Sequence, residues 1–299
     1  MQQYPIVTIG MCVRNCETFI KDAIESVLNQ DYPNDLIEII VVDDGSTDNT
    51  YSIIKSYFQN ANFSNKIFRM PWKGLGFARN IIVNNALGKY IIWVDGDMLI
   101  PRNFVRKLVE YMEKNPEIGI AKGKQSLIPG VNILGTLEAY SRAASRMVNY
   151  QSKKSLFKSL GTGGAIYRVK AIKDVGGFDK NLKGYGEDFD AELRIKAAGW
   201  KLSVVDVEFL DYERFKLTWK KLWTRYWIRG YNARYLLYKN SQVLVLYKMI
   251  PPVAAIVGFL HSLKLYRLTN RKVVFLMPII YFFKMTAWFI GFLSGKMYA

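Results

Sequence analysis

Apolar and polar positions in the first 125 residues switch between the spacing of strands and that of helices. Ile6–Met11, Leu36–Val42, Lys66–Met70 and Lys89–Val94 are short runs rich in β-branched residues and read as strands. Between them, Glu17–Asn29 sets Phe19, Ile20, Ala23, Ile24, Val27 and Leu28 at helical spacing. Further helices are predicted from about Asp48, over Phe77–Ala86 and over Arg102–Glu113. Ser46 or Thr47 is available to cap the second helix, and Pro101 is expected at the first position of the last. Continuous apolar strands separated by helices predict an α/β fold, a mixed but mostly parallel sheet sandwiched by helices. From Gly119 to Asp211 the pattern is less regular. It holds a Gly-rich stretch Gly161-Thr162-Gly163-Gly164, a turn at Gly176-Gly177-Phe178-Asp179, a helix over Asp188–Ala198 stopped by Gly199, and a closing strand Lys201–Val207.

Beyond Glu213 the character changes. Phe215–Tyr238 reads as a basic, aromatic helix, and two apolar stretches follow, Val243–Leu263 and Val273–Leu293. Each is close to the ~20 residues that span a bilayer. Lys248, Pro251 and Pro252 interrupt the first, and Pro278 and Lys284 the second. The expected division is therefore an α/β domain over residues 1–213 and membrane-associated helices over 214–299. A transmembrane hairpin, helices lying in one leaflet, and two buried helices of a soluble domain all fit the pattern.

Charge sharpens this picture. The net charge of the 299-residue chain is +17, and Arg214–Ala299 carries fifteen Lys and Arg without one Asp or Glu. These cations alternate with Trp, Tyr and apolar runs, which suits anionic headgroups at a bilayer surface, so membrane lipids rather than nucleic acid are the expected partner. The start MQQYPIVTIG lacks the features of a signal peptide, which predicts a cytosolic α/β domain at the cell membrane. Cys12 and Cys16 read as reduced thiols, since two cysteines without a histidine cluster make no metal site. His261, the single histidine, lies in an apolar run, which excludes His–Asp nucleophile schemes and histidine metal sites.

The chemistry is carried by carboxylates. Asp43, Asp44, Asp95 and Asp97 are expected just past strand ends, where ligands of parallel sheets bind. Two carboxylates around Gly96 offer the oxygen ligands that Mg²⁺ or Mn²⁺ takes beside substrate phosphates. Asp43-Asp44-Gly45-Ser46 also reads as a turn and cap, and Glu187-Asp188 as a favourable helix start. Arg225 and Arg229, four apart on one helix face, suit either a phosphate or lipid headgroups.

Five motifs follow in order: Val41-Val42-Asp43-Asp44-Gly45-Ser46-Thr47-Asp48, Gly74-Leu75-Gly76-Phe77-Ala78-Arg79-Asn80, Asp95-Gly96-Asp97, Gly176-Gly177-Phe178-Asp179 and Gly186-Glu187-Asp188-Phe189-Asp190. Over residues 4 to 211 this succession resembles the family-2 glycosyltransferases with the GT-A fold. The resemblance implies a nucleotide-contacting segment from Val7 to Glu17. Where the family often has Pro-Thr-Tyr-Asn, this chain has Cys12-Val13-Arg14-Asn15, so Val13 lies in a divergent stretch while Asn15 and Glu17 match well. It further implies base or ribose recognition by Asp43 or Asp44, donor closure by Gly74 and Arg79, and a metal and donor-phosphate pair in Asp95 and Asp97. Glu187-Asp188 matches the catalytic acidic pair, whose Asp is the usual general base.

The implied reaction is metal-dependent, inverting transfer from a UDP- or GDP-linked sugar to a lipid-linked or cell-surface glycan acceptor. Processive synthases of the family carry Gln-x-x-Arg-Trp near Arg225. Here Leu222 and Tyr226 replace the Gln and Trp, which favours adding few sugars. A processive polysaccharide synthase and an inactive nucleotide-binding membrane scaffold are the alternatives.

Overall fold

The computed structural model describes residues 4–59, 63–146, 159–211, 216–239 and 250–295. The chain forms two compact units, one of Met1–Gln125 with Ser159–Asp211 and one of Ser126–Lys158 with Tyr212–Ala299.

The first unit is built on a seven-stranded sheet, ordered β3-β2-β1-β4-β6-β5-β7. Its strands are β1 (Val7–Val13), β2 (Ile37–Asp44), β3 (Ser64–Met70), β4 (Tyr90–Trp93), β5 (Ile118–Gln125), β6 (Ala165–Arg168) and β7 (Lys201–Phe209). Only β6 runs against its neighbours, pairing antiparallel with both β4 and β5. All eight residues of β2 are buried, as a central strand covered on both faces requires. Alternate side chains point to one core, where Ile9, Met11, Ile39, Val41 and Ile92 meet Ile20, Ile24 and Val27 of α1 (Ile20–Leu28). Ile54 of α2 (Thr50–Phe58) and Phe104, Leu108 and Met112 of α4 (Phe104–Lys114) complete that layer. On the opposite face α3 (Leu75–Asn85) comes so close to β1 that a Cβ on Gly10 would stand 2.9 Å from Ile82. Two more helices, α6 (Val169–Asp174) and α7 (Glu187–Ala197), belong to this unit. The predicted α/β class and mostly parallel sheet are the observed ones.

Several boundaries differ for physical reasons. Asp43 and Asp44 close β2 instead of following it, because the flanking ladders continue to Val13 on β1 and Met70 on β3. Neither Ser46 nor Thr47 caps α2; the Asp48 carboxylate accepts Thr50 N–H at 3.0 Å, and Asn49 is the boundary residue. Pro101 precedes the helix by a turn closed by Phe104 N–H, so α4 starts later than the proline suggests. Strands β5 and β6 and helix α6 fall in the stretch that lacks a regular pattern.

The second unit contains α5 (Ile133–Arg146), α8 (Trp219–Lys239), α9 (Pro251–Thr269) and α10 (Met277–Ser294). Leu134, Leu137, Tyr140, Leu222, Leu265 and Ile280 are among its core residues. Backbones of α8 and α10 touch: a Cβ on Gly230 would stand 1.9 Å from the Trp288 carbonyl, and one on Gly291 2.0 Å from that of Trp227. Pro251, Pro252 and Pro278 do not interrupt helices; they occupy first turns, where a missing N–H costs nothing. Val243–Met249 of the first apolar stretch and Phe215 of the basic helix lie outside the described residues. Among the described residues, one helical stretch, Lys272–Ser294, is long and apolar enough to cross a membrane.

Candidate functional site

The carboxyl ends of β1 and β2 are stitched together. Asn15, at φ +49°, donates its N–H to Ser46 Oγ at 3.0 Å and accepts Thr47 N–H at 2.8 Å. Glu17 accepts the backbone and side-chain N–H groups of Asn49 at 2.9 and 3.0 Å. Val13 is buried at the end of β1, opposite Asp43. These contacts engage Asn15 and Glu17 in shaping the rim.

The two carboxylates of β2 divide sharply. Asp44 binds the loop before α3 through both oxygens, accepting Lys73 N–H at 2.7 Å and Gly74 N–H at 2.9 Å. Asp43 accepts Ser46 N–H at one oxygen, while its other oxygen, Oδ2, is buried without a hydrogen-bond partner among the described residues. Arg69 Nε stands 3.5 Å from that atom. Gly45 allows the turn between them: its φ is +76°, and a Cβ would strike Trp72 N at 2.6 Å.

The second and fourth motifs form another wall. Asn80 Nδ2 donates to Phe178 O at 2.8 Å, and Phe178 N–H returns a bond of the same length to Asn80 Oδ1. Gly74, at φ +96°, lies against Lys183. One turn into α3, Arg79 forms an ion pair with Glu187, with both side chains nearly wholly buried. Arg194 continues the tie from α7 to the glycine turn, donating to Asp190 and to the Gly177 carbonyl at 2.8 Å.

Asp95-Gly96-Asp97 follows β4, with both carboxylates partly accessible. The Gly-rich stretch lies between this turn and α7. A Cβ on Gly163 would stand 2.5 Å from Asp95 Oδ2, and one on Gly161 3.4 Å from Asp188 Oδ2. Two buried titratable side chains hold this loop. Lys122 of β5 donates to the Leu160 carbonyl at 2.7 Å, and Glu192 accepts Leu160 N–H at 2.9 Å, Gly161 N–H at 2.7 Å and Ser159 Oγ–H at 3.0 Å. Sequence reading missed both Lys122 and Glu192. The one available signal was that Glu192 lies four residues after Asp188, on the same helix face.

Crowded, half-dry carboxylates shift. Burial pushes the Asp95 carboxyl up, against the pull of Arg79, while Asp211 and Asp188 add to the rise and Lys122 opposes it. Glu192 is pushed up to about 7 by burial and then by Asp188, with its three donors opposing. Burial also raises the thiols of Cys12 and Cys16 to about 12. Both cysteines are free, as expected, and remain unreactive thiols at neutral pH.

Among the described residues no three His, Cys, Asp or Glu side chains cluster as a preformed metal cage. Two partly accessible carboxylates nevertheless suit a hard cation that completes its shell with substrate phosphate and water. Arg225 and Arg229 belong to the second unit: Arg225 Nη1 lies 3.7 Å from Glu138 Oε1, and the Arg229 guanidinium 4.8 Å from the Tyr226 ring centre.

Residues 8–176 match the family model described as glycosyl transferase family 2, and the chain belongs to that family. Its fold is the GT-A fold. Over 210 residues it is 29% identical to the poly-beta-1,6-N-acetyl-D-glucosamine synthase of Staphylococcus epidermidis, covering 70% of this chain and 48% of that protein. The chain thus spans about half the length of the curated relatives it matches first. Among solved structures, the mannosyltransferase PcManGT from Pyrobaculum calidifontis, in complex with GDP-Man and Mn²⁺, is similar with a TM-score of 0.68 at 17% identity, over 98% of this chain and 88% of that one. S. aureus TarS 1-349 in complex with UDP-GlcNAc gives 0.57 at 16% identity, over 96% and 90%. At such identities these likenesses carry the fold.

Proposed function

We propose that this family-2 enzyme transfers a sugar, with inversion, from a UDP- or GDP-linked donor to a lipid-linked or cell-surface glycan acceptor at the cytoplasmic membrane face. The observation that carries the reading is the loop Gly161–Gly164 lying against Asp95 on one side and Asp188 on the other, which brings a phosphate-side and an acceptor-side carboxylate to one loop. The donor base is assigned to the Val13–Glu17 rim, with the buried Asp43 Oδ2 as its acceptor atom. Asp44, engaged at both oxygens, orders the Lys73-Gly74 loop beside the donor. Asp97, with Asp95, would hold Mg²⁺ or Mn²⁺, which would supply positive charge beside the leaving diphosphate. Relatives of this fold have been solved with GDP-Man and Mn²⁺ and with UDP-GlcNAc, which supports both the donor class and the cation.

Asp188 takes the proton of an acceptor hydroxyl, or orients an acceptor phosphate that needs no base. The Arg79–Glu187 pair fixes the start of α7 and thereby Asp188; Glu187 positions rather than reacts. Single or few transfers are favoured over processive synthesis. Leu222 is fully buried and the Tyr226 hydroxyl is bonded to Glu138, so both divergent positions of the arginine motif serve packing.

Membrane attachment rests on the α10 surface, where Ile279 is 60% and Leu293 59% exposed, in a unit whose sequence carries a large excess of Lys and Arg. Lys284, midway along α10, donates to Glu138 at 2.8 Å. A crossing helix would carry that charge at the bilayer centre, so α9 and α10 are assigned to one leaflet.

Transfer or hydrolysis from a panel of UDP- and GDP-sugars, with and without Mg²⁺ or Mn²⁺, tests the reading. Turnover that disappears with chelator and in Asp97→Ala is expected. Inactivity with every donor in the presence of lipid extract would favour a scaffold and overturn it. Failure of the full chain to float with anionic vesicles would remove the membrane assignment.

A further inference from the structure

Helices α5, α8 and α10 share a seam with two different halves. Near the start of each helix lies an apolar groove of about 580 Å³ lined by Leu134, Leu137, Trp219, Leu276, Ile279 and Ile280. Asn132 also borders it, but its amide donates to Leu217 O at 2.8 Å and accepts Gly135 N–H at 2.9 Å, so its polar atoms are engaged within the protein. Trp219 is 50% exposed and Leu276 42% exposed. Solvent-facing apolar walls of this kind mark a place where a ligand or membrane is met.

Further along the same helices the seam becomes cationic. Glu138 of α5 is fully buried, accepts Lys284 Nζ–H at 2.8 Å and the Tyr226 hydroxyl at 3.2 Å, and lies beside Arg225. Burial would raise this carboxyl, yet Lys284, Arg142, Arg225 and Arg229 together hold it down at about 2. Four cations therefore act on one carboxylate that is already hydrogen-bonded. By sequence the unit contains two acidic residues, Glu138 and Glu213, against twenty Lys and Arg, so positive charge remains in excess whatever the local pairing. Groove and cluster are neighbours: Leu134 and Glu138 on α5, and Ile280 and Lys284 on α10, are each one turn apart. Trp219 and Arg225 on α8 are separated by roughly 9 Å of helix.

We infer that this seam is a binding site for a phosphate-bearing lipid, with one hydrocarbon chain in the Leu134–Ile280 groove and the phosphate against Arg142, Arg225 and Arg229. An anion with an apolar tail is the ligand that uses both halves at once. Guanidinium groups match phosphate oxygens in a planar, two-pronged geometry, and several of them around one point suit a dianion. The Glu138–Lys284 bond serves the site by fixing α5 against α10 and setting the register of groove and cluster. The inference rests on the lipid-linked reading of the acceptor and gives that acceptor a place.

The test is calorimetric binding of octyl phosphate to the full chain in zwitterionic nanodiscs, beside octanol and methyl phosphate. Octyl phosphate should bind at least ten times more tightly than either half-molecule. Arg225→Gln with Arg229→Gln should weaken octyl phosphate about tenfold and leave octanol unaffected. Ile279→Trp, which fills the groove, should bring octyl phosphate down to the level of methyl phosphate. If the double variant melts early, Arg229→Lys and Ile279→Trp decide the matter, being milder replacements.

Wild-type affinity for octyl phosphate in both the arginine and groove variants would overturn the site. So would binding to anionic vesicles with no binding of octyl phosphate in neutral nanodiscs, which would assign these cations to the bilayer surface. Sugar-nucleotide turnover without octyl phosphate binding would sink this site alone. Octyl phosphate binding without turnover of any nucleotide-sugar would leave the site and sink the transferase reading.

Discussion

Arg79 on α3 and Glu187 at the start of α7, 108 residues apart in sequence, form a buried ion pair. Burial drives the Glu187 carboxyl up, Arg79 opposes it, and the adjacent Asp188 adds to the rise. Because guanidinium does not give up its proton, the arginine is a permanent counter-charge that limits this rise. The second and fifth motifs of the chain are therefore two halves of one interaction.

Arg79→Met should destabilise the first unit by about 3–5 kcal/mol, because it leaves a buried carboxyl without its counter-charge. Arg79→Met with Glu187→Met should recover part of that loss. Urea denaturation followed by tryptophan fluorescence measures both. An Arg79→Met protein as stable as wild type would contradict the pairing.

Glu192 gives stability a pH dependence. Its folded value of about 7 lies above the ordinary 4.5, so the protonated form is favoured by folding. Its contribution is complete below pH 4.5 and is lost as pH rises through about 7. Relative to Glu192→Gln, the wild-type unfolding free energy should fall between these limits. Parallel pH profiles for the two proteins would remove the assignment.

The two aspartates of β2 should separate cleanly. Asp43→Asn alters the buried acceptor and should weaken nucleotide binding about tenfold or more, with a small change in melting temperature. Asp44→Ala leaves Lys73 N–H and Gly74 N–H without their acceptor and should cost about 1–3 kcal/mol in stability. Nucleotide titration and thermal melting on both variants check this. The reverse pattern would exchange their roles.

Gly163→Ala places a methyl carbon 2.5 Å from Asp95 Oδ2, closer than the two atoms can stand. Displacing that carboxylate by about an ångström should lower transfer on the order of 10²-fold. Affinity for the nucleoside diphosphate should change far less. Steady-state transfer beside nucleotide titration measures both, and equal losses in the two would place Gly163 in general folding instead.

Much of the first unit was legible because its central strands are covered on both faces. Runs such as Ile37–Val42 have no polar face to confuse the reading. Strand β5 escaped notice because Gly119, Lys122 and Gly123 break its apolar run. Lys122 is tolerated inside because the Leu160 and Gly161 carbonyls, 38 and 39 residues away, receive it. No local pattern reveals such a partner. The same holds within the site. Motif order drew attention to Asp43 and Asp44 equally, but which one keeps an open oxygen depends on where the Lys73-Gly74 backbone comes to lie. The helix at Ile133–Arg146 was missed because its apolar residues face partners more than 80 positions further along the chain.

Strand β6 also governs the order in which this chain can be assembled. The ribosome delivers β3, β2, β1 and β4 within the first 93 residues, yet β4 then waits as an open edge. Its neighbour comes from residues 165–168, after the chain has passed through Ser126–Lys158 of the second unit. A nascent chain stalled inside that excursion exposes an apolar strand edge ready to pair with another molecule. The Gly161–Gly164 loop and Asp188, the pieces of the proposed reaction centre, emerge in the same late segment, so they too follow that excursion.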